Sequence, residues 1–160
     1  MGILYHSSPH KDLKIIEPQK TKVHDEYVGD YVFATTDKIL ATMYLCTKGH
    51  ASLMESKHKN PWIVIVAEPS EFIKYDKGGA MYELPDDSFH KTPNPGLETF
   101  EMVSKNSITP LSKQVYDTFM QAMHDSGVTV YFVNQSTFDD ILKTKDHQSI
   151  IDTLKPYHPR

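Results

Sequence analysis

Short apolar runs broken by polar corners dominate the pattern of this chain, and they predict many strands and few helices. Tyr31-Val32-Phe33-Ala34 reads as a buried strand. Thr35, Thr36 and Asp37 follow as helix-start residues whose side-chain oxygens can accept free backbone N–H groups. Ile39, Leu40, Met43 and Tyr44 then recur at helical spacing. The segment Tyr31–Leu45 is thus strand, tight turn and helix. Gly2 to His6 reads as a first strand presenting His6 at its end, and Leu13 to Ile16 as a short strand or extended piece stopped by Pro18. Gln19 to Gly29 and Thr47 to Asn60 are polar and read as loops, and Pro85 to Gly96, with three prolines, as a third. Trp62 to Ala67 is the clearest buried strand.

Phe72 to Asp76 and Ala80 to Leu84 alternate and predict two strands turning at Gly78-Gly79. Phe100 to Val103 reads as a strand carrying Glu101. Ser112 opens a predicted helix with Val115, Phe119, Met120 and Met123 on its apolar face and Gly127 beyond its end. Val128 to Val133 is a last strand, Ser136 caps a helix through Leu142, and Ile150, Ile151 and Leu154 suggest a further turn. The pattern shows no repeat or domain-splitting linker. It predicts a single α+β domain over 1–160.

The chain has 160 residues, enough for a sizeable core. No apolar run approaches the roughly 20 residues that span a bilayer, and the start is not that of a signal peptide. Cys46 is the only cysteine, which excludes an internal disulfide and points to a reducing, cytoplasmic setting. The formal net charge of -4 disfavours a partner held by electrostatics alone, such as nucleic acid, and no membrane partner is expected. Arg160 is the only arginine, so a guanidinium grip on phosphate is missing from the body of the fold.

Among candidate chemistries, His6 and His10 have helical ligand spacing, but Pro9 breaks that helix, and no metal site is expected. Cys46 falls at a helix end, where a thiolate is disfavoured. Ser7 and Ser8 lack a nucleophile elbow, and Gly78-Gly79 lacks the context of a phosphate loop. There remain His6, Tyr44 and Glu101.

Tyr5-His6-Ser7-Ser8, then Val32-Phe33-Ala34 with Ala41 and Tyr44, then Glu101-Met102-Val103 followed by Ile108, resemble in order and spacing the His-Tyr-Glu branch of the ADP-ribosyltransferase superfamily, the poly(ADP-ribose)-polymerase-like enzymes. The likeness covers islands in the first 110 positions, with nothing to match beyond. It implies a mixed, mostly antiparallel split sheet around an NAD-binding cleft, with Leu4–His6, Val32–Ala34 and Phe100–Val103 as neighbouring strands. It implies NAD as co-substrate, cleaved at its nicotinamide–ribose bond through an oxocarbenium-like state. By the same resemblance His6 bonds the adenosine ribose, the backbone of Ser7 clamps the nicotinamide amide, Tyr44 stacks on the nicotinamide ring, and Glu101 bonds the nicotinamide ribose. Ser8, Phe33 and Ala34 complete the expected NAD contacts.

Two residues depart from the family pattern. Ser7 stands for a glycine, which a backbone clamp tolerates at negative φ. Val32 stands for the strand tyrosine, and Tyr31 one position earlier points to the other sheet face, so Phe33 or another aromatic has to supply the second wall. Glu98 is the rival to Glu101, three residues away and on the other face of a regular strand. The ADP-ribose acceptor is open among protein, nucleic acid, small molecule and water. Two other functions share the fold: a catalytically silent nucleotide- or protein-binding module, and an RNA 2′-phosphotransferase, which the lack of arginine disfavours.

Overall fold

The computed structural model describes residues 2–95 and 100–158. These form a mixed α+β architecture. The strands are β1 (Ile3–Ser8), β2 (Gln19–Val23), β3 (Glu26–Ala34), β4 (Ser52–Glu55), β5 (Trp62–Val66), β6 (Gly79–Pro85), β7 (His90–Lys91), β8 (Met102–Ser104), β9 (Ser112–Tyr116) and β10 (Thr129–Val133). The helices are α1 (Lys38–Met43), α2 (Pro69–Tyr75), α3 (Phe119–Asp125), α4 (Gln135–Lys143) and α5 (His147–Ile151). The strands pair in the orders β1-β6-β9, β10-β5-β4 and β2-β3-β8-β7. Among the described residues every pairing is antiparallel except β5 with β10. No helix among them is long and apolar enough to cross a membrane.

The continuous apolar run of β5 follows from burial on both faces. Ile63 and Ile65 enter the cluster under α1 and α3, while Trp62, Val64 and Val66 enter the cluster under α4 and α5. A third cluster, built on Leu4, Val32, Ala34, Tyr82 and Leu84, lies where β1, β3 and β6 meet. Tyr82 is fully buried, and its hydroxyl donates to the His10 carbonyl at 2.6 Å and accepts from Leu13 N–H at 2.9 Å. It therefore fixes the chain that leaves β1.

The strand–turn–helix segment forms as the pattern predicts. Asp37 caps α1, its side chain accepting from Leu40 N–H at 3.1 Å. Its second oxygen accepts from Ser56 Oγ at 2.5 Å, which ties the β4–β5 loop to the start of α1. Leu40 and Met43 are buried, whereas Tyr44, at the helix end, is half exposed.

Other expectations are corrected. The polar stretch Gln19 to Gly29 is not a loop but the β2–β3 hairpin. It turns on His24 and Asp25, at φ 50° and 65°, a two-residue left-handed turn made without glycine. Thr47 to Asn60 contains β4, and Pro85 to Gly96 contains β7. Leu13 to Ile16 forms no strand, only a single bridge from Ile16 to Ile108. Phe72 to Asp76 is helical, because Glu68 caps α2 and Pro69 opens it; only Phe72 of its side chains is buried. Ser112 to Tyr116 is the edge strand β9, and the helix expected there starts at the Thr118 cap. Gly127 ends α3 at φ 70° as expected, and Asn134 rather than Ser136 caps α4. Phe100 and Glu101 precede β8 rather than lie in it.

Asp76 joins two of the corrected segments. One carboxylate oxygen accepts from Gly78 N–H at 3.1 Å and Phe119 N–H at 2.6 Å, and the other from Met120 N–H at 3.1 Å. Gly78 beside it has φ 64°, and a Cβ there would lie 2.2 Å from the Tyr116 carbonyl oxygen. One carboxylate thus closes the turn into β6 and satisfies the start of α3. Asp76→Ala should destabilise the fold by about 2 kcal/mol, since it removes three backbone partners. Urea unfolding checks this, and a loss below a few tenths of a kcal/mol would show that the three N–H groups find water instead.

Candidate active site

A single rung joins β1 to β3. Tyr5 N–H donates to the Thr35 carbonyl at 2.8 Å, and Thr35 N–H donates back to the Tyr5 carbonyl at 2.9 Å. Past that rung the strands separate, and the gap opens into a cavity of about 250 Å³. Tyr5, His6 and Ser7 line it from β1, Phe33, Ala34 and Thr35 from the end of β3, Tyr44 from the end of α1, and Phe100 and Glu101 from the chain entering β8. The β3–β8 register pairs Ala34 with Met102, which sets Glu101 level with the end of β3.

The ladder decides what Ser7 offers. Tyr5 directs its N–H and C=O away from β6, toward Thr35. In an antiparallel pair the next residue but one points the same way, so Ser7 also turns its N–H and C=O from β6 toward the gap. Its side chain is spent elsewhere, because Ser7 Oγ donates to the Ala41 carbonyl in α1. The result is a backbone donor and acceptor side by side at the cavity edge, on a strand braced by the helix.

His6 bridges the same gap. Its Nδ1 lies 2.6 Å from the Phe33 carbonyl oxygen. A carbonyl only accepts, so Nδ1 carries the proton and Nε2 is left as an acceptor in the neutral ring. Burial pushes the His6 pKa below its ordinary 6.5, only partly offset by the bond to Phe33, so the neutral form dominates at pH 7.

Glu101 is held from one side. Its Oε2 accepts from Thr92 Oγ1 at 2.5 Å and from Asn94 Nδ2 at 2.8 Å. Tyr44 faces this carboxylate across the cavity wall. Its phenol pKa is raised, first by burial and then by the charges of Glu101 and Asp37, so the hydroxyl stays protonated.

The structure therefore gathers His6, Ser7, Phe33, Ala34, Tyr44 and Glu101 around one cavity. Ser8 is not among them. Its side chain points away from that of Ser7, to the face of His6, is buried, and accepts from His10 N–H at 3.1 Å. It lines instead a second cavity of about 440 Å³ with Tyr31 and Ile16, and that cavity shares His6 and Phe33 with the first. Val32 is buried in the core, so the aromatic side chains at the first cavity are Tyr5, Phe33, Tyr44 and Phe100. Glu98 lies outside the described residues. Tyr5, Thr35, Phe100, Thr92 and Asn94 were not among the expected site residues. For the last two, polar side chains spaced by Pro93 and Pro95 were the available signal.

Burial pushes the Cys46 thiol up to about 11, far from a thiolate at pH 7. Among the described residues no group of three or more His, Cys, Asp or Glu side chains is placed to hold a metal ion. Comparison with family models, curated proteins and solved structures finds no match for the chain.

The lowered pKa of His6 has a definite sign for stability. The unfolded chain binds this proton more tightly than the folded one, so the His6 contribution is complete above about pH 6.5 and is lost as pH falls through the lowered value. Nitrogen NMR at pH 7 should show His6 neutral with the proton on Nδ1. His6→Gln should flatten the part of the stability–pH curve just below 6.5; an unaltered curve would place His6 in contact with water.

Proposed function

We propose that this chain binds NAD⁺ in the gap between β1 and β3 and cleaves its nicotinamide–ribose bond, as an ADP-ribosyltransferase or NAD glycohydrolase. The observation that carries the reading is the convergence of His6, Ser7, Tyr44 and Glu101 on one cavity from three separate segments. Each offers the group that its role requires. The Ser7 N–H and C=O match the carboxamide of nicotinamide, which needs one donor and one acceptor. The half-exposed ring of Tyr44 supplies one stacking wall, and Phe33 or Phe100 the other. Nε2 of neutral His6 accepts from a ribose hydroxyl. The second cavity beyond His6 and Phe33 gives room for the adenosine half of an extended dinucleotide.

In the proposed reaction the C–N bond from the ribose C1″ to nicotinamide breaks, and its electron pair returns to the pyridine ring, which leaves neutral. Positive charge grows on C1″ and the ring oxygen. The Glu101 carboxylate bonds the adjacent ribose hydroxyl and stabilises that charge. A nucleophile then attacks C1″ and gives its proton to solvent; with water the product is ADP-ribose.

The described lining of the first cavity includes no arginine for a bidentate grip on phosphate, and Lys38 and Lys57 lie over its Tyr5 and Phe100 rings. The lack of a guanidinium counts against an RNA 2′-phosphotransferase. A silent binding module keeps the same contacts without turnover, and kinetics separates the two.

Glu101→Gln should still bind NAD⁺ within a few-fold, while nicotinamide release falls by about 100-fold, the scale of losing one electrostatic stabiliser. Equal turnover by parent and variant would remove Glu101 from the chemistry. A parent that binds NAD⁺ but releases no nicotinamide would make the chain a binding module. Tyr44→Ala should weaken NAD⁺ binding by about 1 kcal/mol, measured by calorimetry. Unchanged affinity in the folded variant would leave Tyr44 without a ligand role.

A further inference from the structure

We infer that Thr92 and Asn94 are positioning residues for Glu101, holding its carboxylate by one oxygen so that the other is presented to the cavity. Their kinetic meaning rests on the NAD⁺ reading above; their geometry does not. Both side chains donate to the same atom, Oε2. The polarity of the chain of bonds is fixed. Asn94 N–H donates to Thr92 Oγ1 at 3.2 Å, so the single hydroxyl proton of Thr92 is free to point at Glu101. Oε2 receives two donors, and among the described residues Oε1 takes no hydrogen bond.

The setting suits a fixed support. Thr92 is buried, and Asn94 sits between Pro93 and Pro95, whose rings restrict the backbone on either side. β7 anchors the near end of this loop to β8, pairing Lys91 with Met102, the residue after Glu101. Carboxylate and donors therefore hang from the same two paired strands. An unsupported glutamate samples many rotamers, and only a fraction places an oxygen beside a bound ribose. Holding Oε2 in advance removes that reorganisation from the reaction, as outer-sphere hydrogen bonds do for metal ligands.

A loop that merely uses Glu101 to hold itself together predicts something different, and three variants separate the cases. Thr92→Val removes the hydroxyl at nearly constant shape, Thr92→Ser restores it, and Asn94→Ala removes the second donor at a less buried position. Thr92→Val and Asn94→Ala should each lower kcat for nicotinamide release by about tenfold with the KM for NAD⁺ little changed, and Thr92→Ser should recover most of the loss. In a Glu101→Gln background Thr92→Val should add almost nothing, because the group it positions is gone. A raised KM at unchanged kcat, or full additivity with Glu101→Gln, overturns the inference.

Crystal structures give a readout independent of turnover. Glu101 should occupy one conformer in the parent and several in the Thr92→Val, Asn94→Ala double variant, or in Asn94→Ala alone should the double variant not fold. A single unchanged conformer in the variant overturns the positioning role. A parent that releases no nicotinamide sinks the NAD⁺ reading while the conformers still decide the placement of Glu101.

Discussion

The pair of hydrogen bonds between Tyr5 and Thr35 is the constraint on which the site depends. One rung is enough to bring β1 and β3 together, and too little to zip them. With a longer ladder, Ser7 would spend its N–H and C=O on β3 and the gap would close. With no rung, His6 would not reach the Phe33 carbonyl and the two sheets would drift apart. The core under the rung, with Leu4, Val32 and Ala34 packed on Tyr82 and Leu84, makes the separation above it stable. Ser7 Oγ, anchored on Ala41, holds the open edge against α1. A free backbone edge inside a folded domain is unusual because unpaired N–H and C=O groups are costly away from water. Here they border a cavity that a ligand with matching groups can fill.

Electrostatics in the gap is sparse and directed. His6 is kept neutral by burial, Tyr44 is kept protonated by burial and the Glu101 charge, and the Glu101 carboxylate is gripped on one side. The Glu101 carboxylate thus faces an aromatic enclosure, with Lys38 and Lys57 set over the Tyr5 and Phe100 rings. A carboxylate held there suits a reaction that develops positive charge on a sugar, which is the proposed one.

Much of this could be read from the chain before folding, and the parts that could not share physical causes. The run Val32-Phe33-Ala34 and the caps at Asp37 are local signals, strong enough to place β3 and α1. The spacing of His6, Tyr44 and Glu101 indicated a shared site only through resemblance, since nothing local says that β1 turns its edge to β3. The hairpin at His24-Asp25 was hidden because its turn uses no glycine and its first strand, β2, is a polar, mostly exposed edge. Val115 looked like part of a helical face with Phe119, although an edge strand and a helix meet between them. Phe72 suggested a strand by alternation, but its burial comes from one helical turn docking on the core. Ser8 was expected beside NAD with Ser7; strand alternation turns its side chain away from that of Ser7, to the face of His6 and the second cavity. Thr92 and Asn94 escaped notice since their role exists only once β7 pairs with β8.

The central claim is that the open edge of β1 is the place where NAD⁺ binds. A titration of the isotope-labelled protein with NAD⁺, followed residue by residue through backbone amide and histidine NMR signals, tests it most directly. The account predicts that the Ser7 amide moves downfield as it gains a hydrogen bond, with His6, Thr35 and Tyr44 shifting at the same ligand concentration. Saturating NAD⁺ with no change at Ser7, or with shifts confined to the separate cavity lined by His50, Glu68 and Asn134, would contradict it.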